Sequence, residues 1–460
     1  MGSKKNAWLK FDDTKKEEIF SFCEGYKKYI SDCKTERESI KEAIYLAESK
    51  GYRDLKNVIS AGKSLKAGDK VYYNNMDKSL ALFLIGSESI ESGMRIIGSH
   101  VDSPRLDLKP NPLYEDSELS LMETHYYGGV KKYQWVTIPL ALHGVVVKKD
   151  GTKIDVVVGE EETDPVVMVS DLLVHLASEQ QQKKATEVIA GEDLNILVGS
   201  MPLEGEEKEA VKANILKLLK EKYDFEEEDF MSAEIEIVPA GKARDLGLDR
   251  SMVAGYGHDD RICAYTSLLA LLETESVKKT SVVLLVDKEE VGSIGATGMQ
   301  SRFFENAVAE LMDRVGEYSE LKLRRALANS KMLSSDVTAA FDPNYAGAYE
   351  KKNSAFFGKG LAFAKYTGAR GKSGCNDANA EFVAWLRNVM DENDVAYQMA
   401  ELGKVDQGGG GTIAYILAEY GMEVIDCGVA LQNMHAPWEV ASKVDIFETM
   451  RGYKAFLMAE

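Results

Sequence analysis

The sequence predicts an α/β protein in which a mostly parallel sheet is flanked by helices and interrupted by an inserted, mainly β segment. Three observations carry that prediction. Short runs such as 282–286 are apolar at every position, the pattern of strands buried on both faces of a parallel sheet. Beyond about residue 248, amphipathic stretches alternate with such runs, the strand–helix rhythm of α/β folds. Between about 105 and 247 the rhythm changes to hairpin signals, so this stretch reads as a second domain with its own sheet. The expected division is therefore 1–104 with 248–460 as one discontinuous α/β domain, and 105–247 as the insert.

In chain order, residues 16–50 predict two helices, with Ile19, Phe22 and Tyr26 at helical spacing. Over 81–99 the pattern becomes strand-like: ALFLIG, a turn at Ser92-Gly93, then MRIIGSH. In the insert, 136–147 is a long apolar stretch, Asp150-Gly151 is a hairpin signal, and 154–158 is the return strand. An acidic amphipathic helix follows over 206–223, with Val211, Ile215, Leu218 and Leu219 on one face. Residues 261–275 carry Ile262, Tyr265, Leu269 and Leu272 on a helical stripe. Further helices are expected over 304–315 and 381–390, and a buried strand over 423–429.

Composition excludes several classes. The 460 residues hold 75 Asp plus Glu against 56 Lys plus Arg, a net charge of −19 that repels nucleic acid. No apolar run approaches the roughly 18 residues a membrane span needs. The segment MGSKKNAWLKFDDTKKEE reads as a polar lead-in to a helix rather than a leader, so a cytoplasmic setting is expected. The five cysteines are odd in number, scattered and without a CxxC pair, as buried thiols in a reducing compartment would be.

Acids and histidines gather at predicted strand ends, where open α/β sheets place their sites. His100 ends the strand MRIIGSH, and Asp102 two residues on could accept its second ring N–H; a turn capped by Asp is the plainer alternative. In Gly257-His258-Asp259-Asp260-Arg261, one Asp could cap the following helix or turn outward to bridge two cations. Asp287, Glu289 and Glu290 follow the most apolar strand. Three acids in four residues repel one another unless a cation lies between them, although a solvated acidic loop would also fit. Asp336 follows another short apolar patch, and His435 follows the strand EVIDCGV. The other three histidines outside His258 (His125, His143 and His175) fall in the insert.

Each cluster is ambiguous alone, but the order His, Asp, Glu-Glu, Asp, His matches the ligand set of a co-catalytic dinuclear hydrolase. One metal would take His100, Asp259 and Asp336, the other Asp259, Glu290 and His435. Nitrogen and carboxylate donors without thiolate suit two Zn²⁺, with Co²⁺ or Mn²⁺ also accommodated.

These segments resemble the M18 metallopeptidases, the family of aminopeptidase I and aspartyl aminopeptidase. The likeness rests on GSHVDSPRLDLKP (98–110), HDDRICAYTSLLAL (258–271), DKEEVGSIGATG (287–298), SSDVTAAFDPNY (334–345) and QNMHAPWEV (432–440). The resemblance implies a zinc-peptidase fold and a metalloaminopeptidase that hydrolyses the N-terminal peptide bond of peptides. It implies His100, Asp259, Glu290, Asp336 and His435 as metal ligands, Glu289 as general base and Asp102 as the partner of His100. It further implies that the insert is a dimerisation domain and that dimers stack into tetrahedral dodecamers. His175, within DLLVHL, is the candidate for a histidine reaching a neighbouring subunit's site.

Asp260 stands where aspartyl aminopeptidases usually carry Asn, and residues 365–374 depart from the usual aspartyl segment, so the chain looks closer to the aminopeptidase I branch. Lys365 is the candidate to meet an acidic substrate side chain, with a solvated lysine as the alternative. Glycines 408–411 lack the Gly-Lys-Ser/Thr ending of a phosphate loop. In the family this loop borders the substrate site, so the resemblance implies Gly409, Gly410 and Thr412 as candidates to offer N–H groups to substrate. Two rivals share parts of the pattern: a two-metal phosphoesterase, and a non-catalytic assembly or cargo protein that kept the fold.

Overall fold

In the computed structural model, residues 5–368 and 370–460 are described. The first four residues of the polar lead-in, and Ala369 within the 365–374 segment, lie outside the described residues. The chain divides into two compact units, one of 1–102, 243–434 and 439–460, the other of 103–242 and 435–438.

Among the described residues the first unit holds a nine-stranded sheet. Its centre is four parallel strands in the order Ser281–Val286, Arg95–His100, Lys331–Ser335 and Glu423–Gly428. Ser79–Leu84 and Leu361–Ala364 pair antiparallel at the two sides of this centre. The all-apolar run at 282–286 is explained by burial on both faces. Val283 and Leu285 enter one core with Ala264, Leu268, Val444 and Phe447, whereas Val282 and Leu284 enter another with Phe304, Val308 and Leu417. The helices His258–Leu272 and Lys443–Met458 thus cover one face, and Phe303–Arg314 and Ala414–Ala418 the other. A five-stranded sheet in the same unit includes Met252–Gly255 paired antiparallel with Glu439–Ser442.

The second unit is mainly β. Its seven-stranded sheet is antiparallel throughout, including the hairpin Leu140–Val147 with Lys153–Val158 turned at Asp150-Gly151. The amphipathic helix is shorter than its pattern suggests, starting at Ala210 rather than 206. Glu209 stands in left-handed backbone at φ 45°, which breaks the helix before the acidic run can join it. Its predicted face is also incomplete: Val211 is buried, but Leu218 is exposed. The helix that follows Thr412 is short, Ala414–Ala418. Among the described residues no helix is long and apolar enough to cross a membrane.

Candidate metal centre

The parallel centre of the sheet sends its strand ends in one direction, and three of its four strands deliver a chemical group there. His100 is the last residue of Arg95–His100 and is buried. Its Nδ1 lies 2.9 Å from the Asp102 carbonyl oxygen, which can only accept, so this nitrogen carries a proton. The Asp102 carboxylate is 3.3 Å from the same nitrogen. The opposite nitrogen, Nε2, faces acids: Asp259 Oδ1 at 3.1 Å, Glu289 Oε2 at 3.8 Å and Asp336 Oδ1 at 3.8 Å.

Asp102 has a second task. Its two carboxylate oxygens accept the backbone N–H groups of Glu289 and Glu290, each at 3.2 Å. Those glutamates lie on one 3₁₀ turn, Glu289–Val291, entered from Lys288 in left-handed backbone and left through Gly292 at φ 94°. Asp287 does not join them. It is buried and accepts a hydrogen bond from Thr297 Oγ1 at 2.6 Å.

Asp336 follows Lys331–Ser335 and donates its N–H to the Cys427 carbonyl at 2.8 Å, which ties it to the neighbouring parallel strand. Asp259 and Asp260 begin the helical segment His258–Leu272 in non-helical backbone, and the peptide bond between them is cis. Asp260 is fully buried, and its Oδ2 accepts the His100 backbone N–H at 3.3 Å. The approach to this corner needs glycine: a Cβ on Gly257, at φ 73°, would lie 1.5 Å from the guanidinium of buried Arg261.

The electrostatics follow from crowding. Burial alone disfavours a charged imidazole at position 100, but the carboxylates of Asp102, Asp259 and Glu289 outweigh it and hold its pKa well above the ordinary histidine value. Burial, and then the Asp336 and Asp259 charges, push Asp260 far above the usual aspartate range. Burial, with Glu289, Asp259 and Asp426 adding to it against the pull of His100, does the same to Asp336. Potential ligand atoms of His100, Asp260 and Asp336 lie within 4.8 Å of one another, as do those of His100, Glu289 and Glu290. A donor set of imidazole and carboxylates at this spacing fits a zinc-type divalent ion.

The remaining candidates are distributed as follows. His435 belongs to the second unit, where its Nδ1 donates to the Gly129 carbonyl at 2.9 Å, so that nitrogen carries the proton. His175 lies in the exposed turn Val174–Leu176 of that unit. Lys365 forms an ion pair with Asp377, which also pairs with Lys372. Gly409 stands at φ 115°. Gly410 gives its N–H to the Thr367 carbonyl at 3.2 Å, and Thr412 donates its hydroxyl to Asp426 at 2.6 Å. No spacing in the sequence signals Asp426, because its role is a buried contact between neighbouring segments.

A helix-covered parallel sheet whose strand ends converge carboxylates on one imidazole defines an α/β metallohydrolase. The family model described as aminopeptidase I zinc metalloprotease (M18) matches residues 29–457, and the chain belongs to that family. It is 66% identical over 454 residues to a probable M18 family aminopeptidase 1 of Clostridium acetobutylicum, covering 98% of each chain. Among solved structures, aminopeptidase I of that organism superposes with a TM-score of 0.93 at 65% identity over 99% of both chains. An M18 family aminopeptidase of Thermotoga maritima superposes with a TM-score of 0.95 at 45% identity, again over 99% of both. The protein is thus a hydrolase, a zinc-family metalloaminopeptidase, which sets aside the phosphoesterase and assembly-protein readings.

Proposed function

We propose that the chain cleaves the N-terminal residue from peptides at a dinuclear centre. His100, Asp259 and Asp336 would hold one ion, and Asp259, Glu290 and His435 the other, both Zn²⁺ by preference with Co²⁺ or Mn²⁺ as substitutes. The observation that carries the reading is the convergence of the Asp259, Glu289 and Asp336 carboxylates on His100 Nε2. When bound, the ions supply Lewis-acid activation of water and neutralise these acids. Glu289 takes the proton of the attacking water and returns it to the leaving amine. Asp102 orients both the His100 ring and the turn that carries Glu289. The peptide's free α-amine is held beside the carboxylates, which limits cleavage to the first peptide bond.

Preference for a neutral N-terminal residue is favoured over an acidic one, because the Asp377 carboxylate already occupies Lys365. The insert, residues 105–247, is assigned to dimerisation within a homo-oligomer, with a tetrahedral dodecamer as the largest assembly. In support, Leu172, Leu173, Val174 and Leu176 flank His175 and are all exposed, an apolar run that would be covered by a second copy. A cytoplasmic setting fits five unpaired cysteines, four of them buried.

Release of Leu, Asp, Glu and Lys from amino-terminal substrates, measured with and without chelator, tests the reading. Chelator-sensitive release with Leu favoured over Asp and Glu is expected. Activity that survives chelation, or none after zinc, cobalt and manganese are supplied in turn, would overturn it.

A further inference from the structure

Asp102 is not alone in gripping backbone amides. Glu439 opens the strand Glu439–Ser442, paired opposite Gly255, and is only 1% exposed. Its Oε2 accepts the backbone N–H of Asp259 at 3.0 Å, across 180 residues of chain. The same device thus recurs: one buried carboxylate holds the Glu289-Glu290 turn by its amides, and another holds the start of the Asp259 segment by its amide.

We infer that Glu439 is a positioning residue for Asp259, an inference that rests on reading Asp259 as a metal ligand. The first N–H groups of any helix lack intrahelical partners and must find acceptors elsewhere. An aspartate at such a place ordinarily bends its own carboxylate back to cap them. That does not happen here: the segment has no side-chain cap, and Asp259 stands at φ −80°, ψ 108° with Oδ1 directed at His100 Nε2. Glu439 supplies the acceptor instead, through a charge-assisted hydrogen bond in a buried setting where such bonds are strong. Fixing the Asp259 nitrogen fixes the point from which its side chain swings, and leaves its carboxylate for the site. In this assignment Glu439 acts through Asp259.

The experiment compares Glu439→Ala, Glu439→Gln and Glu439→Asp in the full chain. Zinc affinity is read by competition with a chelating dye, ligand geometry by the visible spectrum of cobalt-loaded protein, and turnover by kcat and KM separately. Gln keeps an oxygen acceptor at the same reach, Asp keeps the charge but withdraws it by one methylene, and Ala removes the acceptor. Ala and Asp are expected to lose on the order of 10–100-fold in metal affinity or kcat, the usual cost of losing a group that orients a ligand. KM should change little, the cobalt spectrum should shift, and Gln should restore most of the loss. Should Ala fail to fold, the Gln–Asp comparison still decides. Wild-type affinity and spectrum in Ala or Asp would overturn the assignment, as would a lowered melting temperature with an unchanged cobalt spectrum. A loss in Gln greater than that in Asp would also overturn it, since the charge that Asp keeps, rather than the accepted hydrogen bond, would then be responsible. A wild-type chain that bound no divalent ion would instead fail the functional reading, and this inference with it.

Discussion

Two regions of the chain, one in each unit, treat their acids in opposite ways. In the second unit, a buried and a half-buried carboxylate each meet a basic side chain: Glu236 lies 3.2 Å from Arg105 Nε, and Glu160 lies 3.0 Å from His143 Nε2. Arg105 is further held 2.8 Å from Asp107 and 3.9 Å above the Tyr127 ring. At the strand ends of the first unit, by contrast, Asp259, Glu289 and Asp336 all face the one imidazole of His100. Burying charge is tolerable when it is paired and hydrogen-bonded. The balanced region is therefore complete as a structure, whereas the unbalanced region is complete only with added positive charge. Excess buried acid marks the site more clearly than acid itself does.

The contrast can be broken most severely at Glu289. Glu289→Gln removes the proton acceptor while keeping size and the backbone N–H given to Asp102. Turnover should fall on the order of 10²–10⁴-fold, the range for a general acid–base group, with metal content unchanged. Steady-state kinetics beside metal analysis checks this, and wild-type turnover with both ions bound would show that another group takes the proton.

In the second unit the corresponding change is Arg105→Met, which removes the guanidinium 3.2 Å from buried Glu236. Removing one partner of a buried pair costs about 3–5 kcal/mol of stability. Denaturant unfolding should show that loss, while zinc affinity of the still-folded protein should stay at the wild-type value. A zinc affinity that fell together with stability would mean that the two regions are not separable in this way.

A smaller effect is expected at Asp102, which contributes geometry rather than charge transfer. Asp102→Ala releases the Glu289 and Glu290 amides and one restraint on the His100 ring. The His100 ring keeps its bond to the carbonyl of residue 102, so metal affinity or kcat should fall about 10–100-fold rather than vanish. Dye competition and kinetics measure both quantities. An unchanged affinity would place the orienting role elsewhere.

How much of this was legible in the sequence depended on whether the physics is local. The central sheet was legible because residues 282–286 are apolar at every position, and the hairpin at Asp150-Gly151 because turn chemistry is short-range. The nearness of His100, Asp259, Glu289 and Asp336 was legible because strand ends put side chains of recognisable type at fixed points. The start of the Ala210–Tyr223 helix was not, since nothing in the acidic pattern reports the left-handed backbone at Glu209. Nor was Glu439, whose partner is a backbone amide 180 residues away that any residue type would present. Thr412 offered a hydroxyl in the sequence, but only the fold brings it to the buried Asp426.

Asp445 shows a third way to bury an acid and supplies the mildest test of the contrast. It lies near the start of Lys443–Met458, where its two oxygens accept the N–H groups of Gly358 at 2.7 Å and Gly360 at 2.6 Å. Burial nevertheless outweighs these bonds, and with Glu448 nearby its pKa is pushed up to about 7. An unfolded aspartate titrates near 3.9, so between roughly pH 4 and 7 the folded chain holds a proton that the unfolded chain has lost. The stability this contributes is fully present below about pH 4 and is lost as the pH rises through 7. Asp445→Asn should lower stability somewhat at every pH, because an amide NH₂ replaces one accepting oxygen. It should also flatten this one-proton slope, which melting curves at intervals between pH 5 and 8 would read. A slope identical to wild type would mean that the amide N–H groups hold Asp445 ionised throughout. The protein would then keep buried acids charged by backbone donors as well as by basic side chains, and the excess at the strand ends would be the sole exception among the three.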